Sequence, residues 1–176
     1  MKLTAKQVAP YRQWLDAAKR LGAAEAKVIA TPSVVTGTWV RLKCQFGCGG
    51  YGQCLTCPPY SPTPEQTQAM LGEYRVALLI HAPGDGGGEL IKRIVPGLER
   101  EILPAGFYKA FALACGPCDL CEACNFEACE HPDQARPGME AAGIDVYATA
   151  RGNGFPIEVV KDRSCPQNYY GLVLIE

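Results

Sequence analysis

Net charge is nearly absent from this chain: 17 Lys and Arg face 18 Asp and Glu, leaving −1 at neutral pH. That balance removes the electrostatic case for a nucleic-acid partner or an anionic membrane surface. Long apolar runs are missing too. The longest, Val76–Ile80 and Leu172–Ile175, fall far below the roughly 20 residues that span a bilayer. Met1–Gln7 carries charge but no apolar stretch follows it, so no secretory signal is expected. The expected address is the cytoplasm. No Ser-His-Asp arrangement or paired-carboxylate motif is present, so the catalytic residues, if any, are unassigned. Gly84-Asp85-Gly86-Gly87-Gly88 precedes a helical pattern but lacks the Lys-Ser/Thr ending of a P-loop and the spacing of a dinucleotide fingerprint. It reads as a turn.

Cysteine, by contrast, is abundant. Of the 10 in the chain, one group runs Cys44, Cys48, Cys54, Cys57 and a second runs Cys115, Cys118, Cys121, Cys124, Cys129; Cys165 stands alone. A chain of 176 residues is long enough to bury a core without covalent staples. In a reducing compartment, clustered thiols point to metal rather than to a disulfide framework.

The spacing bears on which metal. Structural zinc normally takes two separated Cys-x-x-Cys knuckles. The second window instead repeats two-residue gaps from Cys115 to Cys124, as bacterial ferredoxins do around a cubane. A short loop can wrap such a core and turn its amides toward the sulfides, and Gly116 permits the close approach. Cys57 and Cys165 are each followed by proline, as is the remote ferredoxin ligand. The expected ligands are Cys118, Cys121, Cys124 and Cys129 for one cluster and Cys44, Cys48, Cys54 and Cys57 for the other. Cys115 and Cys165 are weighed equally as ligands and as small buried hydrophobes. The first window, which is looser, suits a second cubane or a zinc ion.

Periodicity supplies the scaffold. Thr4 and Gln7 have capping-box spacing, and Val8, Tyr11, Leu15 and Ala18 then share a helical face that Gly22 ends. Ala26–Ala30 and Thr38–Lys43 read as strands. Thr63-Pro64-Glu65-Gln66 opens a helix carrying Met70, Leu71 and Tyr74. Arg75–His81 reads as a strand covered on both faces. Leu90, Ile94, Leu98 and Ile102 mark a helix that Pro96 is expected to kink or split. Phe107–Ala114 reads as a strand, Pro137–Ala142 as a short helix, Asp145–Arg151 as a helix capped by Asp145, and Tyr169–Ile175 as the last strand. Strand, helix and strand across 75–114 suggest a parallel crossover. The expected fold is a single α/β domain over 1–176, with a mixed sheet flanked by helices and the two cysteine segments leaving it as loops. Of the other residues, His81 reads as a hydrogen-bonded core residue. His131 reads as a donor to a cluster sulfur, a proton carrier or a turn residue. Tyr51, Tyr60 and Phe126 read as shields of the cysteine windows, and Arg136 as a neutraliser of cluster charge or a surface ion pair.

Three runs carry a family resemblance: Cys57-Pro58-Pro59-Tyr60-Ser61-Pro62-Thr63-Pro64-Glu65, Gly116-Pro117-Cys118 with Cys121 and Cys124, and Ala135-Arg136-Pro137-Gly138-Met139-Glu140-Ala141-Ala142-Gly143-Ile144-Asp145-Val146. They resemble the uncharacterised family DUF2284, whose label implies metal binding and no defined reaction, and whose members occur in anaerobes. In that family's pattern Cys44, Cys48 and Cys57 match the more regular positions, whereas Cys54 matches one often held by another residue. Arg136-Pro137-Gly138 departs from the usual Arg-Pro-Ser. The resemblance implies that Cys54 can be a spare, which would leave one iron of the first cluster without a protein thiolate. The functional expectation is an iron–sulfur protein with two [4Fe-4S] clusters passing electrons to a redox partner protein. A cluster-dependent enzyme and a zinc-binding interaction module are the alternatives.

Overall fold

In the computed structural model, which describes residues 3–162 and 164–176, side-chain caps set the start of three helices. Thr4 and Thr63 each accept from the third residue of their helix, whose Gln side chain accepts from the cap amide in return, opening α1 (Ala5–Val8) and α4 (Pro64–Leu71). α1 leads through a single 3-10 turn into α2 (Arg12–Arg20). Gly22, at φ +108, ends that run. Asp145 accepts from Ala148 N–H at 2.9 Å and opens α6 (Val146–Gly152). α5 (Gly87–Ile102) starts behind Gly86 in the left-handed region and runs as one helix through Pro96. Pro96 does not split it: the proline ring is itself buried in the apolar face that pins the helix to the sheet.

Four strands form one sheet in the order β1-β2-β4-β3: β1 (Glu25–Ala30), β2 (Val76–Pro83), β3 (Phe111–Leu113) and β4 (Asn168–Leu174). Every neighbouring pair is antiparallel. The α/β architecture stands, but among the described residues the four strands form no parallel pair. β2 and β3, joined through α5, do run in the same direction as a crossover requires. β4 is inserted between them, the split form of a β-α-β unit.

Both faces of the sheet are covered. On one, Leu78, Ile80, Ala112 and Val173 pack against Ile91, Ile94, Val95 and Leu98 of α5, with α2 alongside. On the other, Leu79, Leu113, Leu172 and Leu174 pack against Met139, Ile144 and Ala150 from the irregular return of the chain and α6. Double coverage is why β2 shows no apolar alternation. α5 approaches β4 so closely that a Cβ on Gly171 would lie 2.5 Å from Val95 Cγ1.

Three elements differ from expectation. Thr38–Gly47 is a helix, α3, not a strand. Its Trp39 and Val40 favour strands only as a weak local bias; placing Val40 and Cys44 one turn apart on a single face decides the matter. Residues 137–142 form turns rather than a helix, closed by Ala142 N–H to Gly138 C=O at 3.0 Å and Ile144 N–H to Met139 C=O at 2.9 Å. The strand expected over 107–114 is ladder-paired only at Phe111–Leu113, and Tyr74 lies beyond the end of α4.

Candidate metal centre

Both cysteine windows leave the scaffold as irregular chain, 48–63 after α3 and 115–137 after β3, and they meet on one side of the molecule. All ten cysteines are free thiols. The helix α3 carries Cys44 in its last turns and delivers Cys48 just past its end, four residues apart and so on one face. Arg41, one turn before, holds the next segment. Its guanidinium donates to the carbonyls of Pro62 at 2.8 Å, Pro59 at 3.3 Å and Ala141 at 3.3 Å. That clamp positions Cys57-Pro58-Pro59 against α3. The four-residue spacing of Cys44 and Cys48, read as helical, would have revealed it.

The thiols sort into two groups. Cys44, Cys48 and Cys57 border a cleft of ≈ 330 Å³ between α3 and the 139–147 segment. Cys54, Cys118, Cys121, Cys124 and Cys129, with Cys48 at the edge, line a second cavity of ≈ 680 Å³. Pro117 borders both. The Cys54–Thr56 stretch is turned toward the second window: Cys54 Sγ lies 3.3 Å from Thr56 Oγ1, and Leu55 N–H donates to Cys124 Sγ at 3.4 Å.

Electrostatics separates two touching thiols. Burial pushes Cys54 up, but hydrogen bonds from the Thr56 hydroxyl, the Cys118 N–H and the Cys57 thiol outweigh it and leave the group below its ordinary value. Cys57 is pushed up to about 12, first by burial and then by its hydrogen bond and proximity to Cys54. Cys44 and Cys118 are also raised, chiefly by burial.

The donor set fits a soft metal core. Thiolates suit zinc and iron–sulfur clusters. Backbone N–H groups already point at sulfur from Gly50 to Cys48 (3.4 Å) and from Leu55 to Cys124. Gly50 packs beside the thiols: a Cβ there would be in ordinary contact with Cys48 Sγ and Cys57 Sγ, 3.6 Å from each, and tight against Pro117 Cβ at 3.1 Å.

The remaining candidates are placed as follows. Cys115 is buried, donates to Gly88 C=O at 3.5 Å and is pushed up to about 12 mainly by burial. It lines neither cavity. Cys165 lines neither as well, its thiol lying 3.8 Å from Asp162 Oδ1. His131, Glu130 and Cys121 bring ligand atoms within 4.8 Å of one another at the rim of the larger cavity. His131 also shapes the turn, its carbonyl accepting from Gln134 and Ala135 N–H. The rings of Tyr60 and Phe126, 5.1 Å apart, join the two windows. His81 is remote, stacked on Tyr170 and 2.8 Å from Asn168 Oδ1. Arg136 is neither a cluster counter-charge nor a surface pair. It grips buried Glu99 through two bonds, 2.7 and 2.6 Å long.

A family profile described as "Predicted metal-binding protein (DUF2284)" matches residues 27–175, and the chain belongs to that family. Comparisons with curated proteins and with solved structures gave no match. No helix among the described residues is long and apolar enough to cross a membrane.

Proposed function

We propose that this member of the family holds two [4Fe-4S] clusters, one on each thiol group, and exchanges single electrons with a redox partner protein. The observation that carries the reading is the convergence of eight cysteines from two distant windows into two adjoining groups, one of them five thiols strong. One tetrahedral zinc uses four donors; the second group offers more thiols than that, in the close spacing that wraps a cubane.

When bound, the clusters would supply reversible one-electron chemistry. The chain's own part is to hold and shield them. Arg41 fixes the Cys57 loop, Gly50 sits beside Cys48 and Cys57, and two N–H···S bonds offset negative charge on sulfur. Such hydrogen bonds and local burial set reduction potential. Full thiolate ligation, which the five-thiol group can supply, suits a group that gains and loses an electron with little rearrangement, and an electron carrier requires a donor and an acceptor. No catalytic residue is assigned.

Anaerobically purified protein is expected to carry about eight iron and eight acid-labile sulfide per chain, with an EPR signal on reduction. Stoichiometric zinc in a colourless protein would overturn the reading in favour of a zinc-stabilised interaction module.

A further inference from the structure

We propose that one iron of the cluster at Cys44, Cys48 and Cys57 has no protein thiolate, faces the cleft beside α3, and takes a small thiol with an apolar body as ligand. The inference rests on the iron–sulfur reading above.

The first group has three thiols on its cleft, not four. Cys54, the obvious fourth, is absent from the cleft wall. Its sulfur meets the Cys57 thiol but lies 3.3 Å from Thr56 Oγ1 and lines the cavity of the second window instead. Cys115 is equally withdrawn, bonded to Gly88 C=O. The other side chains on the cleft make poor substitutes. Asp145 is engaged as the cap of α6, accepting from Ala148 N–H at 2.9 Å. Lys43 carries an ammonium with no lone pair. Glu140 offers only a hard carboxylate, less matched to thiolate-bound iron than sulfur is.

The remaining wall is apolar: Trp39, Val40, Ala141, Ile144 and Tyr147. Trp39 is folded back on Gly37, where a Cβ would come within 2.7 Å of the indole Nε1. The wall is therefore built by a glycine that lets the ring lie flat. The cleft's ≈ 330 Å³ must hold the metal core on its thiols as well as the ligand, which limits the ligand to a small body. Three sulfurs at its base and hydrocarbon along its sides select a ligand that is soft at one end and apolar at the other. Binding forms one iron–sulfur bond, and the thiol proton leaves to solvent. No electron changes hands.

The test titrates phenylmethanethiol, and separately mercaptosuccinate, into anaerobic, thiol-free, dithionite-reduced protein followed by EPR. Wild type is expected to show a saturable spectral change with phenylmethanethiol. Mercaptosuccinate should bind about tenfold more weakly or worse, because its carboxylates lose water in an apolar cleft. Trp39→Ala, at a half-exposed position, should weaken phenylmethanethiol several-fold. Cys54→Ala should respond as wild type does. A silent wild type with its full iron content would overturn the proposal. So would a response gained only in Cys54→Ala, which would make Cys54 the fourth ligand, or equal binding of both thiols unaffected by Trp39→Ala. Protein lacking iron and sulfide would instead sink the underlying cluster reading, and metal analysis of the same sample separates the two failures.

Discussion

At Tyr170 a phenol is shut inside the sheet with its hydroxyl donating to the Pro156 carbonyl. Burial, with the Glu25 carboxylate adding to it, pushes its pKa from 10.0 up to about 12. Tyr11 is raised equally, by burial and by its hydrogen bond to Glu176. In both the neutral phenol is the form the fold holds. Their contribution is therefore complete below pH 10 and disappears as pH rises toward 12. Denaturant midpoints are expected to fall over that window, and Tyr170→Phe to flatten the fall. A midpoint independent of pH there would contradict the burial argument. The same scale explains which site residues were readable. The nine clustered cysteines were legible from spacing alone. Arg41 was not, because its role is to gather carbonyls from Pro59, Pro62 and Ala141, and backbone oxygens leave no trace in sequence.

Among elements, the return of the second cysteine segment is anchored by a buried ion pair. Arg136 and Glu99 have side chains only 11% and 10% exposed, and Glu99 also accepts from Ala112 N–H in β3. Arg136 thus ties the end of the loop to α5 and to the strand from which the loop departs. Arg136→Met would strand a buried carboxylate and is expected to cost about 3 kcal/mol in denaturant unfolding, with Arg136→Lys recovering part of it. A loss below 1 kcal/mol would place the pair in solvent instead. Helices with strong caps were legible, since Thr4, Thr63 and Asp145 carry their own start signals. α3 was misread because it begins at Gly37 with no side-chain cap and exposes Trp39, Leu42 and Phe46, so neither a cap nor a clean apolar stripe announces it. The 137–142 segment looked helical but buries its apolar residues through turns, which share short-range spacing with a helix.

For the whole molecule, the sheet and the thiol segments are built on different principles. The sheet is covered on both sides by side chains from α2, α5, α6 and the 139–157 return. Residues 48–62 and 115–136 hold no helix or strand and rely on a few polar bonds plus whatever the thiols bind, so metal stripping is coupled to their order. Chelator treatment is expected to open those two stretches to protease while the sheet survives, with mass spectrometry locating the cuts. Cleavage starting in β2 or α5 would show that the metal holds the entire fold. The direction of the crossover was legible in the pattern, but its interruption was not, because nothing in residues 75–114 signals that a strand from far downstream will sit between its two ends. That insertion has a consequence for biosynthesis. Both thiol segments precede β4 in the chain, so a nascent polypeptide emerging from the ribosome displays every clustered sulfur before the sheet can close. Synthesis is therefore the stage at which those sulfurs are most open to oxidants and to one another.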